Sequence, residues 1–158
     1  ITDEKIKKEM TSEFIDYYSK NIDRGSKPLE GVVKFLDWAK SKKISMAVCT
    51  NKQERLAVDL LKKIHLYDYF EYVAGCNTFE FNKPDPRHLT NVVEIIGGDL
   101  KKTIMVGDSE VDANSAYNAG LPFILIEGGY TEKTVEEIKH DVLIKNFNNF
   151  DKIIKKYL

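Results

Sequence analysis

The order of apolar runs along the chain predicts an α/β protein built on a doubly wound parallel sheet. Three observations carry this. Short, almost continuously apolar runs at 44–50 (ISMAVCT) and 103–107 (TIMVG) have the pattern of parallel strands covered on both faces. They alternate with segments whose apolar residues recur at helical spacing. The handovers between them are rich in Gly, Asn, Asp, Thr and Pro, the residues that end one element and open the next.

Residues 3–22 read as a helix with Ile6, Met10, Phe14, Tyr17 and Tyr18 on one apolar face, and Tyr17, Tyr18 and Trp38 read as packing residues. The segment 24–28 breaks that pattern with Gly, Ser and Pro and reads as a linker. A helix follows at 30–42, with Val32, Phe35, Leu36 and Ala39 inward, and then the strand 44–50. The next helix, 52–64, points Leu56, Leu60, Leu61 and Ile64 inward, and a short strand at 72–76 precedes the polar loop 82–86. Leu89, Val92, Val93 and Ile96 mark a further helix that ends at Gly97 and Gly98. The strand 103–107 hands over to a helix near 110–119, which Gly120 stops before Pro122 opens another strand. A last strand at 142–145 precedes a terminal helix carrying Phe150, Ile153, Ile154 and Tyr157. Strand–helix alternation of this kind defines a Rossmann-like architecture, in which ligands sit beyond the carboxyl ends of the strands.

Composition narrows the function. Apolar residues at 42% and charged residues at 31% are ordinary for a soluble globular domain of 158 residues. A net charge of −1, with lysines matched by acids, gives no footprint for nucleic acid. No apolar run reaches the length of a membrane span. Cys49 and Cys76 have no metal-type spacing and read as buried reduced thiols, which points to the cytoplasm. His65, His88 and His140 form no cluster, and surface or helix-end roles are assigned to them.

Three strand ends carry groups able to do chemistry. Thr50 and Asn51 close the strand 44–50. They serve either as a helix N-cap or as an anion site, where backbone N–H groups and a hydroxyl meet phosphate. Lys83 lies in Asn82-Lys83-Pro84-Asp85-Pro86. It is either a solvated lysine in a turn or an ammonium held in place by a proline-stiffened loop to neutralise an anion. Gly107-Asp108-Ser109-Glu110-Val111-Asp112 ends the strand 103–107. Asp108 and Asp112 are either an N-cap and a first-turn acid or two carboxylates on one helix face, suited to Mg²⁺. Gly107 permits close backbone approach there. Gly128-Gly129 follows a strand and either lines the site or, as the first reading, forms a simple turn.

Taken in this order, the three segments resemble the second, third and fourth motifs of the haloacid dehalogenase-like superfamily, from about Leu29 to the C-terminus. Val48-Cys49-Thr50-Asn51-Lys52 and Val106-Gly107-Asp108-Ser109 are most similar to its phosphoglycolate phosphatase branch. Leu29-Glu30-Gly31-Val32 and Asn118-Ala119-Gly120 also fit. The resemblance implies a core at 28–158 and, at 1–27, the last helix of a helical cap with its linker. It implies a Mg²⁺-dependent phosphatase acting on a small phosphorylated metabolite, 2-phosphoglycolate first, through an aspartyl-phosphate. A pyrophosphatase, a phosphosugar mutase and a non-catalytic phosphate-binding module are the alternatives. By resemblance, Thr50 and the Asn51 amide would hold phosphoryl oxygens, and Lys83 would stabilise the transferring charge. Asp108 would bind Mg²⁺, Asp112 would bind it through water or orient Lys83, and Ser109 would support the loop.

The superfamily's first motif, Asp-x-Asp on the central strand, does not occur in these residues, and the chain opens at Ile1 within the implied cap. The chain is therefore expected to be a fragment, with a gap in the middle of its sheet and the missing N-terminal segment as its partner. Intact mass and N-terminal sequencing of the natural protein should reveal a longer chain carrying Asp-x-Asp upstream of Ile1. A natural start at Ile1 overturns that expectation.

Overall fold

A computed structural model describes Tyr17, residues 26–129 and residues 131–157. The expected helix at 3–22 lies outside the described residues apart from Tyr17, which is helical and 66% exposed.

The alternation read from the sequence is present. In chain order the principal elements are α1 (Val32–Ser41), β1 (Ala47–Cys49), α2 (Glu54–Lys63), β2 (Tyr72–Ala74) and α3 (Arg87–Ile95). They continue with β3 (Met105–Gly107), α4 (Glu110–Asn118), β4 (Phe123–Ile126), β5 (Val142–Ile144) and α5 (Phe150–Ile154). The strands are shorter than the apolar runs that announced them, because only part of each run finds a hydrogen-bonded neighbour. Each helix buries the face that its spacing dictated: Leu36 and Ala39 on α1, Leu56 on α2, Leu89, Val92 and Val93 on α3, and Phe150 and Ile154 on α5.

All strand pairs are parallel. β1 pairs with β2, setting Ala47 opposite Tyr72 and Cys49 opposite Ala74. β4 pairs with β3 on one side, Gly107 opposite Leu125, and with β5 on the other, Ile124 opposite Val142. Among the described residues no ladder joins β1 to β3, so the sheet stands as two halves of two and three strands. A cavity of about 640 Å³ lies along both halves, lined by Val48 and Cys49 of β1, Met105 and Val106 of β3, and Leu89 and Val92 of α3. This is the mid-sheet gap expected from the sequence.

Helices cover both faces. On one, α3 and α4 pack through Leu89, Ala113 and Ala116 onto Phe123 and Leu125. On the other, α5 brings Phe150 and Ile154 to Ile124 and Ile144, with Phe35 and Trp38 of α1 alongside. Phe150 meets the ring of Phe35 edge-on at 4.7 Å and that of Phe147 at 5.0 Å. Thr50 and Gly75 follow the parallel strands β1 and β2 and emerge together, and Lys83, bonded to both Cys49 O and Asp112, brings the end of β3 with Asp108 beside them.

Phe150→Ala is expected to lower unfolding stability by about 3–5 kcal/mol in urea titrations, the cost of removing a buried aromatic ring. A loss of under about 0.5 kcal/mol, the range of surface substitutions, would remove Phe150 from the core.

Candidate functional site

At the strand ends, the ordinary explanations for the three motifs fail one by one. Helix α2 starts at Glu54 with Gln53 in the cap position, so Thr50 and Asn51 cap nothing. The Thr50 amide donates to Ala74 O at 2.9 Å, extending the β1–β2 ladder. Its hydroxyl accepts from the Lys52 amide at 3.1 Å, which leaves the hydroxyl proton for another partner. The Asn51 side chain donates to Lys83 O at 2.9 Å and so ties the first motif to the second.

Lys83 is not a solvated turn lysine, being only 7% exposed. Its ammonium donates to Cys49 O at 2.7 Å and to Asp112 Oδ1. A lysine normally buries its stem and leaves its head in water. Here the head is fixed by one carbonyl at the end of β1 and one carboxylate in the first turn of α4.

Asp108 is not the helix cap either. Ser109 caps α4, accepting from the Asp112 amide at 3.3 Å while its hydroxyl donates to Asp112 Oδ2 at 2.9 Å. The Asp108 amide donates to the same oxygen at 3.1 Å. Asp112 is thus committed at both oxygens: Oδ1 to Lys83, Oδ2 to Ser109 and the Asp108 amide. Gly107 is a requirement of this arrangement. A Cβ there would sit 2.5 Å from Asp112 Cβ and 2.6 Å from its carboxyl carbon.

The two carboxylates diverge electrostatically. Burial alone would push Asp112 up, but the charge and hydrogen bond of Lys83, with help from Ser109 and the Asp108 amide, hold it below the usual carboxylate range. Asp108 is exposed, yet protein crowding on one side and the charge of Asp112 hold it above that range. Lys83 with two carboxylates leaves one negative charge in excess, before any phosphate arrives. That is the setting in which a cation stabilises a like-charge pair. Among the described residues no group of three or more His, Cys, Asp or Glu side chains gathers. The carboxylate oxygens of this pair would suit a hard cation such as Mg²⁺, which takes one or two carboxylates and keeps its water. Asp108 is the carboxylate with capacity to bind it, and Asp112 is placed to orient Lys83.

Nearby residues show what the sequence did not. His88, assigned to the surface or a helix end, lies in the first turn of α3 but is fully buried. Its Nε2 is within 3.0 Å of Gly75 O, an acceptor, so Nε2 carries the proton. Burial holds its pKa low and the ring neutral. The signal was its place four residues before Val92, on the apolar face of α3. Gly129, read as a simple turn, lies against Asp108: an added Cβ would be 2.3 Å from Asp108 O. Cys49 and Cys76 are free and half-buried, and burial lifts the Cys49 thiol to about 11. Among the described residues no helix is long and apolar enough to cross a membrane.

The fold and strand-end groups define a class, and comparison with known proteins makes it specific. The profile described as haloacid dehalogenase-like hydrolase matches residues 1–126, so the chain belongs to the haloacid dehalogenase-like hydrolases. It is 40% identical over 148 residues to the phosphoglycolate phosphatase of Agrobacterium fabrum, covering 90% of this chain and 64% of that protein. It is 38% identical over 135 residues to that of Mesorhizobium japonicum, covering 85% of this chain and 60% of that protein. The chain therefore spans less than two thirds of the length of these curated relatives. A crystal structure of a predicted phosphoglycolate phosphatase from Haemophilus somnus superposes with a TM-score of 0.89 at 25% identity, covering 97% of this chain and 68% of that one. A β-phosphoglucomutase from Clostridium difficile shares the fold, with a TM-score of 0.80 at 21% identity over 99% of this chain and 69% of that one.

The two carboxylates should respond oppositely to neutralisation. Asp112→Ala leaves Lys83 buried and unpaired and is expected to cost about 3–5 kcal/mol in urea melts at neutral pH. The folded value of Asp112 lies below the ordinary 3.8, so its contribution is present above 3.8 and is lost as pH falls through the lowered value. The folded value of Asp108 lies above its ordinary one, so its favourable contribution exists at low pH and is lost as pH rises through the raised value. Asp108→Asn should therefore raise the melting temperature of the metal-free protein at neutral pH. Equal destabilisation by both variants would contradict this division of roles.

Proposed function

We propose that the protein is a Mg²⁺-dependent phosphomonoesterase acting on a small phosphorylated metabolite, 2-phosphoglycolate foremost. The observation that carries this reading is the buried ammonium of Lys83, fixed at the meeting point of the β1 and β3 ends. A cation that cannot swing away is preorganised for charge developing on a transferring phosphoryl group. The Thr50 hydroxyl donates to a phosphoryl oxygen, and the Asn51 amide holds a second. Lys83 neutralises charge on the group in flight, and Asp112 prevents the ammonium from collapsing onto substrate. Asp108 holds Mg²⁺, which when bound supplies further compensation for phosphate charge.

The attacking carboxylate is assigned to a segment upstream of Ile1 that enters the cavity between the half-sheets as a parallel strand. The cavity is mostly apolar, is flanked by the unladdered edges of β1 and β3, and reaches Cys49 and Val106, close to their carboxyl ends. A parallel strand there ends beside both, and an aspartate at that end forms the aspartyl-phosphate that water then hydrolyses. The similarity to phosphoglycolate phosphatases supports the substrate.

The test is phosphate release by the protein extended to include its upstream segment, assayed with and without Mg²⁺. The panel comprises 2-phosphoglycolate, pyrophosphate and glucose 1-phosphate. Turnover of 2-phosphoglycolate is expected, with residues 1–158 alone inactive. Lys83→Ala should lower kcat by roughly 10²–10³-fold, as for loss of one preorganised charge-stabilising group. Preference for either other substrate overturns the substrate assignment, and activity of residues 1–158 alone overturns the upstream nucleophile.

A further inference from the structure

The segment after β4 makes two contacts with the Asp108 region, one on each side of residue 130. Gly128 has a φ of +95°, a conformation natural to glycine, and it turns Gly129 onto Asp108. At Gly129 an added Cβ would lie 2.5 Å from Asp108 Cβ and 2.7 Å from its carboxyl carbon. No side chain fits there without displacing the aspartate. The Thr131 amide donates to Gly129 O at 3.2 Å. The Thr131 hydroxyl donates to Glu110 Oε2 at 2.5 Å and accepts from the Lys133 amide at 3.2 Å. Glu110 is the first residue of α4, two positions beyond Asp108. The Thr131 hydrogen bond is the foremost reason its carboxyl stays below the usual range.

The two segments joined by this bond are 21 residues apart in the chain. α4 follows β3, whereas the strap carrying Gly128, Gly129 and Thr131 follows β4. A charge-assisted hydrogen bond of 2.5 Å between them is among the stronger side-chain links available. It holds the strap where the bare backbone of Gly129 walls off one flank of Asp108. The carboxylate is thereby confined on that side, although Asp108 remains exposed elsewhere.

We infer that Glu110 and Thr131 form a clasp that presses the Gly128–Gly129 strap against Asp108 and fixes that carboxylate for its cation, which makes both of them positioning residues. The inference rests on the reading of Asp108 as the Mg²⁺ ligand. Partners that orient a metal ligand without touching the metal commonly change its affinity by about 10–100-fold when removed. The clasp acts on the cation and not on the phosphate groups held by Thr50 and Lys83.

The experiment is calorimetric Mg²⁺ binding to the protein with its upstream segment, without substrate, alongside KM for 2-phosphoglycolate at saturating Mg²⁺. Thr131→Val should weaken Mg²⁺ binding by roughly tenfold and leave KM unchanged. Thr131→Ser, which keeps the hydroxyl, should bind as the parent does. Gly129→Ala, which leaves the clasp intact but pushes on Asp108, should weaken binding at least as much as Thr131→Val. Asp108→Asn separates the two ideas. If it abolishes Mg²⁺ binding while Thr131→Val and Gly129→Ala bind normally, the clasp is overturned and the cation site stands. If Asp108→Asn itself binds Mg²⁺ normally, the cation reading falls and the clasp with it.

Discussion

The buried pair of Lys83 and Asp112 is the constraint around which the strand ends are arranged. Taking both charges out of water is costly, and further hydrogen bonds on both partners offset that cost. Lys83 also reaches Cys49 O, and Asp112 also accepts from Ser109 and the Asp108 amide. Each of those partners is thereby located. Cys49 fixes the end of β1, Ser109 fixes the start of α4, and the Asp108 backbone fixes the end of β3. The absence of a side chain at Gly107 lets Asp112 close the arrangement. A single ion pair thus ties the end of β1 to the β3–α4 turn, which lies far from it in sequence.

The two half-sheets show how this geometry survives without a continuous ladder. Each half is covered by helices, and α3 packs on β1 and β2 while its Leu89 joins the core beneath β4. The α3–α4 layer holds the halves in common alignment along one face. The polar edge, where Lys83 bridges Cys49 and Asp112, does so at the carboxyl ends. Hydrophobic burial sets the distance between the halves, and the ion pair sets their registration at the site.

Much of this was legible in the sequence. Continuous apolar runs gave parallel strands, helical spacing gave the buried faces, and the strand ends marked the chemistry. The roles at those ends were not decidable locally. Thr50 and Asp108 are both good capping residues, and only the observed helix starts at Glu54 and Glu110, capped by Gln53 and Ser109, remove that explanation. The burial of Lys83 depends on two partners 34 and 29 residues away, which no local pattern encodes. The link from Thr131 to Glu110 and the contact of Gly129 with Asp108 are likewise products of topology. His88 was the readable exception. A polar residue in phase with Leu89 and Val92 must be buried, and a buried imidazole needs an acceptor, which Gly75 provides.

Cys49 sits between the strand interior and Thr50, with its carbonyl bound to Lys83 and its thiol raised to about 11. Thiol chemistry proceeds through the thiolate. At neutral pH only roughly one molecule in ten thousand carries it, as the raised value dictates. The sulfur next in sequence to the Thr50 hydroxyl is therefore held back from thiolate chemistry. The burial that surrounds Lys83 at the end of β1 also keeps this thiol protonated.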